Sequence, residues 1–106
     1  MRTFTSQEVL DLTEITYRQL SHWVSTGFVH INDVSPGTGH TRTFSYPETL
    51  RLMVLASLIH AGVTVRTASA HFARYGMHNS MTELVYQNGP VSITLDMRML
   101  ISKLES

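Results

Sequence analysis

Between Thr5 and Gly27 the chain carries two helix starts and two helix stops, and this spacing constrains the fold more than any other feature. Thr5-Ser6-Gln7-Glu8 has the form of a capping box. The threonine hydroxyl accepts a first-turn amide, and the glutamate reaches back to the cap. A short helix follows, with Val9 and Leu12 turned inward, and it stops near Thr13-Glu14. Thr16 is a second N-cap, behind which Leu20, Trp23 and Val24 recur at helical spacing. Gly27 is placed to end that helix as a left-handed residue. The segment therefore reads as two short helices joined by a tight turn.

Phe28 to Asn32 alternates like a short strand, and Arg42 to Tyr46 reads as a returning one. Ser35-Pro36-Gly37-Thr38-Gly39 between them is loop chemistry. Together they predict a hairpin with a glycine-rich tip. Pro47 suits the first turn of a third helix, where no amide is needed. That helix runs to about His60, with Leu50, Val54, Leu55 and Leu58 as its core stripe and Gly62 as its stop. Thr64 caps a fourth helix to about Arg74, with Val65, Ala68 and Phe72 inward. A second hairpin is expected from Leu84-Val85-Tyr86 and Val91 to Leu95, turning at Asn88-Gly89, a preferred tight-turn pair. Pro90 then starts the second strand. Asp96 caps a last helix with Met97, Leu100, Ile101 and Leu104 on one face. The expected class is mainly α with small β, in the order α-α-β-β-α-α, followed by a β-hairpin and a short C-terminal helix. No internal repeat is evident.

Composition removes several functions. The 106 residues fit one compact domain, or one domain with a short extension. With no cysteine there are no disulfides, thiol nucleophiles or thiolate metal sites, which agrees with a cytoplasmic location. The N-terminus lacks the basic-then-apolar order of a signal peptide. The longest apolar run, Leu52 to Ala61, is too short to span a bilayer. His22, His30, His40, His60, His71 and His78 include no pair at helical ligand spacing, and HExxH is missing, so no metal site is expected. No nucleophile elbow or carboxylate pair stands out, and Gly37-x-Gly39 lies in a hairpin loop, so neither an enzyme nor a cofactor is expected.

Two short helices, a hairpin and a further helix pair make a winged helix-turn-helix. In such folds the second helix enters the major groove of DNA, and its first turn supplies the reading side chains. Here those are Thr16, Tyr17, Arg18 and Gln19, with Ser21 and His22 one turn on. Arginine can bridge phosphate oxygens or read guanine, and glutamine can read adenine. Tyrosine and serine donate to phosphates. The hairpin would be the wing, with His40, Thr41 and Arg42 near the backbone or minor groove. The formal net charge of zero, eight basic against eight acidic residues, counts against a DNA binder, so the placement of charge has to decide. Histidines at 22 and 40 would add positive charge slightly below neutral pH.

From Phe4 to Phe72 the sequence resembles the DNA-binding domain of the MerR family. Arg18 matches the arginine of the recognition helix and Leu20 its buried leucine. His22-Trp23 stands in place of a tyrosine pair, and Gly27-Phe28 matches the glycine-leucine that opens the wing. Arg42-Thr43-Phe44-Ser45 resembles the wing's arginine-x-tyrosine-serine. Glu48 sits at an acidic position of the next helix, and Gly62-Val63-Thr64 resembles the glycine-apolar-serine turn before the last. Ser21 replaces an arginine often found there. The family's long dimerising helix, effector domain and metal-sensing cysteines have no counterpart.

The resemblance implies a sequence-specific binder of double-stranded DNA, acting as a transcriptional regulator or as a small architectural factor of the excisionase kind. It carries no implication of a small-molecule effector. A protein-interaction module, such as an antitoxin or anti-regulator that docks through its winged helix, is the alternative. Residues 1–75 are expected to form the DNA-binding domain. Residues 76–106 would be an extension that either dimerises or caps the core, with homodimers or cooperative oligomers expected because one winged helix covers little DNA.

Overall fold

The computed structural model describes residues 2–29, 43–75 and 82–106. Its elements are β1 (Thr3–Thr5), α1 (Ser6–Thr13), α2 (Tyr17–Ser25), β2 (Thr43–Ser45), α3 (Tyr46–His60), α4 (Val65–Tyr75), β3 (Glu83–Asn88), β4 (Val91–Asp96) and α5 (Met97–Glu105). Among the described residues, five helices with two small antiparallel strand pairs make the mainly α class expected from the sequence.

Local signals set the helix starts. Thr5, Thr16 and Ser45 are all N-caps in complete capping boxes, closed by Glu8, Gln19 and Glu48. Asp96 caps α5 by accepting from the backbone N–H groups of Arg98 and Met99 at 3.0 and 3.3 Å. At the other ends, Gly27 and Gly62 take positive φ, +83° and +107°, where a glycine carries no steric penalty. The turn between α1 and α2 uses no glycine. Glu14 itself is left-handed, with φ 56°, and its N–H donates to the Leu10 carbonyl at 2.9 Å.

The strands depart from expectation in two places. β2 pairs with β1, a strand not expected from the sequence, while the expected return against Phe28–Asn32 falls mostly outside the described residues. The register pairs Thr3 with Ser45, Phe4 with Phe44 and Thr5 with Thr43. Both phenylalanines are fully buried, so the pairing closes the core over two aromatic rings. Each strand leads at once into a capped helix: Thr3-Phe4-Thr5-Ser6-Gln7-Glu8 and Thr43-Phe44-Ser45-Tyr46-Pro47-Glu48 repeat one local pattern. Tyr46 consequently opens α3 and does not belong to the strand. Phe28 and Val29 form a bend, and the remainder of the expected wing, with its glycine-rich tip, lies outside the described residues.

The second correction concerns the C-terminal hairpin. Asn88 pairs with Val91, so the turn residues are Gly89 and Pro90 and not Asn88-Gly89. Gly89 has φ +61° at the first turn position, as a type II′ turn requires. The reason is the missing donor of Pro90. An Asn-Gly turn would need that N–H to close its hydrogen bond, whereas the observed turn is closed by Val91.

α3 is the centre of the molecule. Besides Leu50, Val54, Leu55 and Leu58 it buries Leu52, Met53 and Ala56, so it is apolar almost all round. α1, α4, α5 and β4 all pack on it. The core is one cluster that runs from Phe4, Val9, Leu20 and Trp23 to Leu84, Tyr86, Met97 and Leu104. The hairpin and α5 thus bury one face on the chain's own core. Polar ties follow the same route: Tyr46 donates to Glu105 at 2.9 Å, and Arg2 donates to the Leu104 carbonyl at 3.3 Å. Among the described residues, no helix is long and apolar enough to cross a membrane.

Candidate nucleic-acid interface

α2 is held from one side only. Leu20 and Trp23, three residues apart, are its two buried side chains and anchor it to the core. At about 100° per residue, Arg18, Ser21, His22 and Ser25 fall on the opposite face, and Tyr17, three residues before Leu20, lies at its flank. Tyr17 is 64 % exposed, an unusual state for a large aromatic ring. Arg18 and His22 are exposed as well, and Ser21 is half-buried. The short turn after α1, with Ile15 buried beneath it, leaves the first turn of α2 facing solvent.

The six candidate side chains on this helix divide into two groups. Thr16 and Gln19 hold the helix start. The Thr16 hydroxyl accepts from the Gln19 N–H at 3.1 Å, and the Gln19 carboxamide oxygen accepts from the Thr16 N–H at 2.9 Å. The Gln19 oxygen is therefore committed to the cap. Tyr17, Arg18, Ser21 and His22 are the side chains of this set that the helix leaves to solvent, Ser21 in part. The His22 ring stands edge-on to Phe28 at 6.1 Å between centroids, which ties the end of this face to the segment leaving α2. His40, Thr41 and Arg42, the expected wing contacts, lie outside the described residues.

Charge placement answers the objection raised by the zero net charge. There is no Asp or Glu from Ile15 to Val29, nor from Thr49 to Thr82. The second stretch carries Arg51, Arg66 and Arg74. α4 packs beside α3, and the Ser69 hydroxyl donates to the Phe28 carbonyl at 3.2 Å, docking α4 against the segment after α2. Acidic residues gather on α1, as Glu8, Asp11 and Glu14, and in the C-terminal extension. Glu8 is matched by Arg2 at 3.1 Å. The Thr5 N–H first, and then that arginine, hold its carboxyl below the usual range. A neutral chain thus keeps acid off the helix that projects. The signal was present in the sequence as two acid-free runs, which a sum of charges hides.

Among the described residues no three metal-binding side chains come together. A family model for the MerR HTH family of regulatory proteins matches residues 4–74, the span from β1 through α4. None of the curated proteins compared with the chain matches it.

Proposed function

The chain belongs to the MerR HTH family of regulatory proteins, and on that footing we propose that α2 reads the major groove of duplex DNA through Tyr17, Arg18, Ser21 and His22. Membership makes residues 4–74 a DNA-binding regulatory domain of a family that is not enzymatic. The finer reading is sequence-specific control of transcription, or an architectural role of the excisionase kind, exerted by two or more copies. It is supported above all by the outward face of α2, which combines an exposed aromatic ring, an exposed arginine and a complete lack of acid. Thr16 and Gln19 serve by fixing the helix start, so that Tyr17 and Arg18 are presented in one geometry. His40, Thr41 and Arg42 are proposed to meet the backbone or minor groove beside it.

Selection of genomic fragments by the protein at low salt, followed by sequencing of the bound DNA, tests this reading. A common motif is expected. Arg18→Ala should then weaken binding to that motif by about 1–3 kcal/mol and relax specificity at one base pair. A uniform loss across sequences with a shallower salt slope would assign Arg18 to phosphate instead. Failure to retain any DNA at low salt would overturn the reading in favour of a protein-docking module.

A further inference from the structure

The chain leaves α2 through a bend at Gly27, where φ is +83°. The Val29 N–H donates back to the Trp23 carbonyl at 3.3 Å, which closes the bend on α2 itself. Among the described residues, the hydrogen bond that joins the bend to another element comes from α4: the Ser69 hydroxyl donates to the Phe28 carbonyl at 3.2 Å. Phe28 passes the connection on. Its ring and that of His22 stand edge to face, 6.1 Å apart at 68°. Ser69, Phe28 and His22 thus form a line from α4 to the exposed side of α2. We propose that Ser69 is a positioning residue for DNA reading, which holds through Phe28 the orientation in which α2 presents the His22 imidazole. The proposal deepens the DNA reading given above and rests on it for the effect on binding.

The partner of this hydroxyl sets Ser69 apart. Inside a helix, serine and threonine commonly bond the carbonyl four residues back. Thr13, Thr49 and Ser57 do so, donating to Val9, Ser45 and Met53 at 2.7, 2.8 and 2.8 Å. Ser69 instead reaches across 41 positions of sequence. Its surroundings show why a hydrogen bond matters there. Phe28 and Val29 are only half-buried. Between them and α3 and α4 lies a cavity of about 270 Å³, lined by Leu52, Leu55, Ser69 and Phe72 among others. Close packing fixes most interior side chains in one place. A ring beside a cavity lacks part of those contacts. The directional bond at the Phe28 carbonyl therefore fixes the bend where packing does not.

The backbone of His22 is already secured within α2. Its carbonyl accepts from the Thr26 N–H at 2.9 Å and from the Thr26 hydroxyl at 2.7 Å. What the bend adds is the direction of the exposed ring. No Asp or Glu lies between Ile15 and Val29 to draw the imidazole elsewhere along this segment. A ring N–H bonds an acceptor well only within narrow angular limits. An exposed side chain also gives up rotamer freedom when it is immobilised in a complex. A ring already held by Phe28 gives up less. Ser69 thereby raises affinity from α4, without touching DNA itself.

Ser69→Ala removes the hydroxyl and suits a helix, so the fold is retained. Ser69→Thr keeps the hydroxyl, and its added methyl has the cavity beside it. NMR of the histidine rings, recorded without DNA, reads the orientation directly. Ser69→Ala should move the His22 ring resonances in the same direction as Phe28→Leu, which takes the aromatic ring away. Ser69→Thr should return them. Affinity for the selected duplex should fall about threefold to tenfold in Ser69→Ala, the range of one net hydrogen bond, with helical circular dichroism unchanged. Ser69→Thr should restore that too. In a His22→Gln background, Ser69→Ala should cost no further affinity, because both substitutions break one line of contacts. Unmoved His22 resonances or unchanged affinity in Ser69→Ala, or an undiminished loss in the His22→Gln background, overturns the inference. Failure of the DNA reading itself shows differently: the unmodified protein then retains no duplex, while the His22 shift in Ser69→Ala persists.

Discussion

α2 and α5 are both nine residues long, and each fully buries two side chains, yet the fold sets them to different work. In α2 the anchors Leu20 and Trp23 are adjacent on the wheel and central in the helix. The helix is pinned at its middle, and its first turn is left proud. In α5 the anchors Met97 and Leu104 lie seven positions apart, at either end. That helix lies flat along the core and caps it. The exposed residues differ accordingly: tyrosine, arginine and histidine without acid on α2, against Met99, Arg98, Lys103 and Glu105 on α5. Amphipathicity alone does not separate a helix that presents its first turn to solvent from one that caps the core. Where along the helix the anchors sit does.

The sharpest way to break this comparison is to remove the anchors. Trp23→Ala should destabilise the protein by about 3–5 kcal/mol and abolish DNA binding with it, because the indole is both core and footing for α2. Urea unfolding followed by circular dichroism measures the first effect. Leu104→Ala should cost about 2–5 kcal/mol in the same cooperative transition, since its side chain shares the cluster with Phe4 and Phe44. A separate, earlier transition for the C-terminal extension would show that α5 is an appendage and not a cap on the shared core.

A smaller change sharpens the contrast. Thr16→Ala removes the cap of α2 and should lower stability by about 1 kcal/mol. Because the loss sits at the turn that presents Tyr17 and Arg18, DNA affinity should fall further than stability at a temperature where the protein remains folded. Equal losses would mean that the cap serves the fold alone.

The least effect is expected from acid. The capping box of α2 closes on the uncharged Gln19, and that of α1 closes on Glu8. The Thr5 N–H and Arg2 lower the carboxyl's folded pKa below its ordinary value. Its contribution is complete above that ordinary value and is lost as pH falls through the folded one. Amide exchange should therefore show α1 fraying at acid pH while α2 keeps its protection. Simultaneous fraying would remove the distinction between the two caps.

Much of this was readable in the sequence because the signals are local. The caps at Thr5, Thr16 and Asp96 act within three residues, and the stops at Gly27 and Gly62 need only their own backbone. The ends of α3 and the anchors of α2 followed from periodicity. The hairpin turn lies one residue beyond the Asn-Gly pair, and its cause, the missing donor of Pro90, is equally local. β1 is not legible in the sequence, because three residues with a single inward phenylalanine show no alternation. The repeat of Thr-Phe-(Thr/Ser) before two capped helices was the available clue.

By itself, then, the sequence determined which segments are helices, where they begin, and which side of α2 is free of acid. Capping, glycine conformation and charge act between near neighbours. Tertiary structure alone decided that residues forty positions apart, Phe4 and Phe44, close one strand pair, and that the C-terminal hairpin covers this chain's own core with one face. Those outcomes depend on which apolar surfaces meet. Burial rewards any well-fitting apolar contact without regard to sequence distance, so only the assembled core could choose among them.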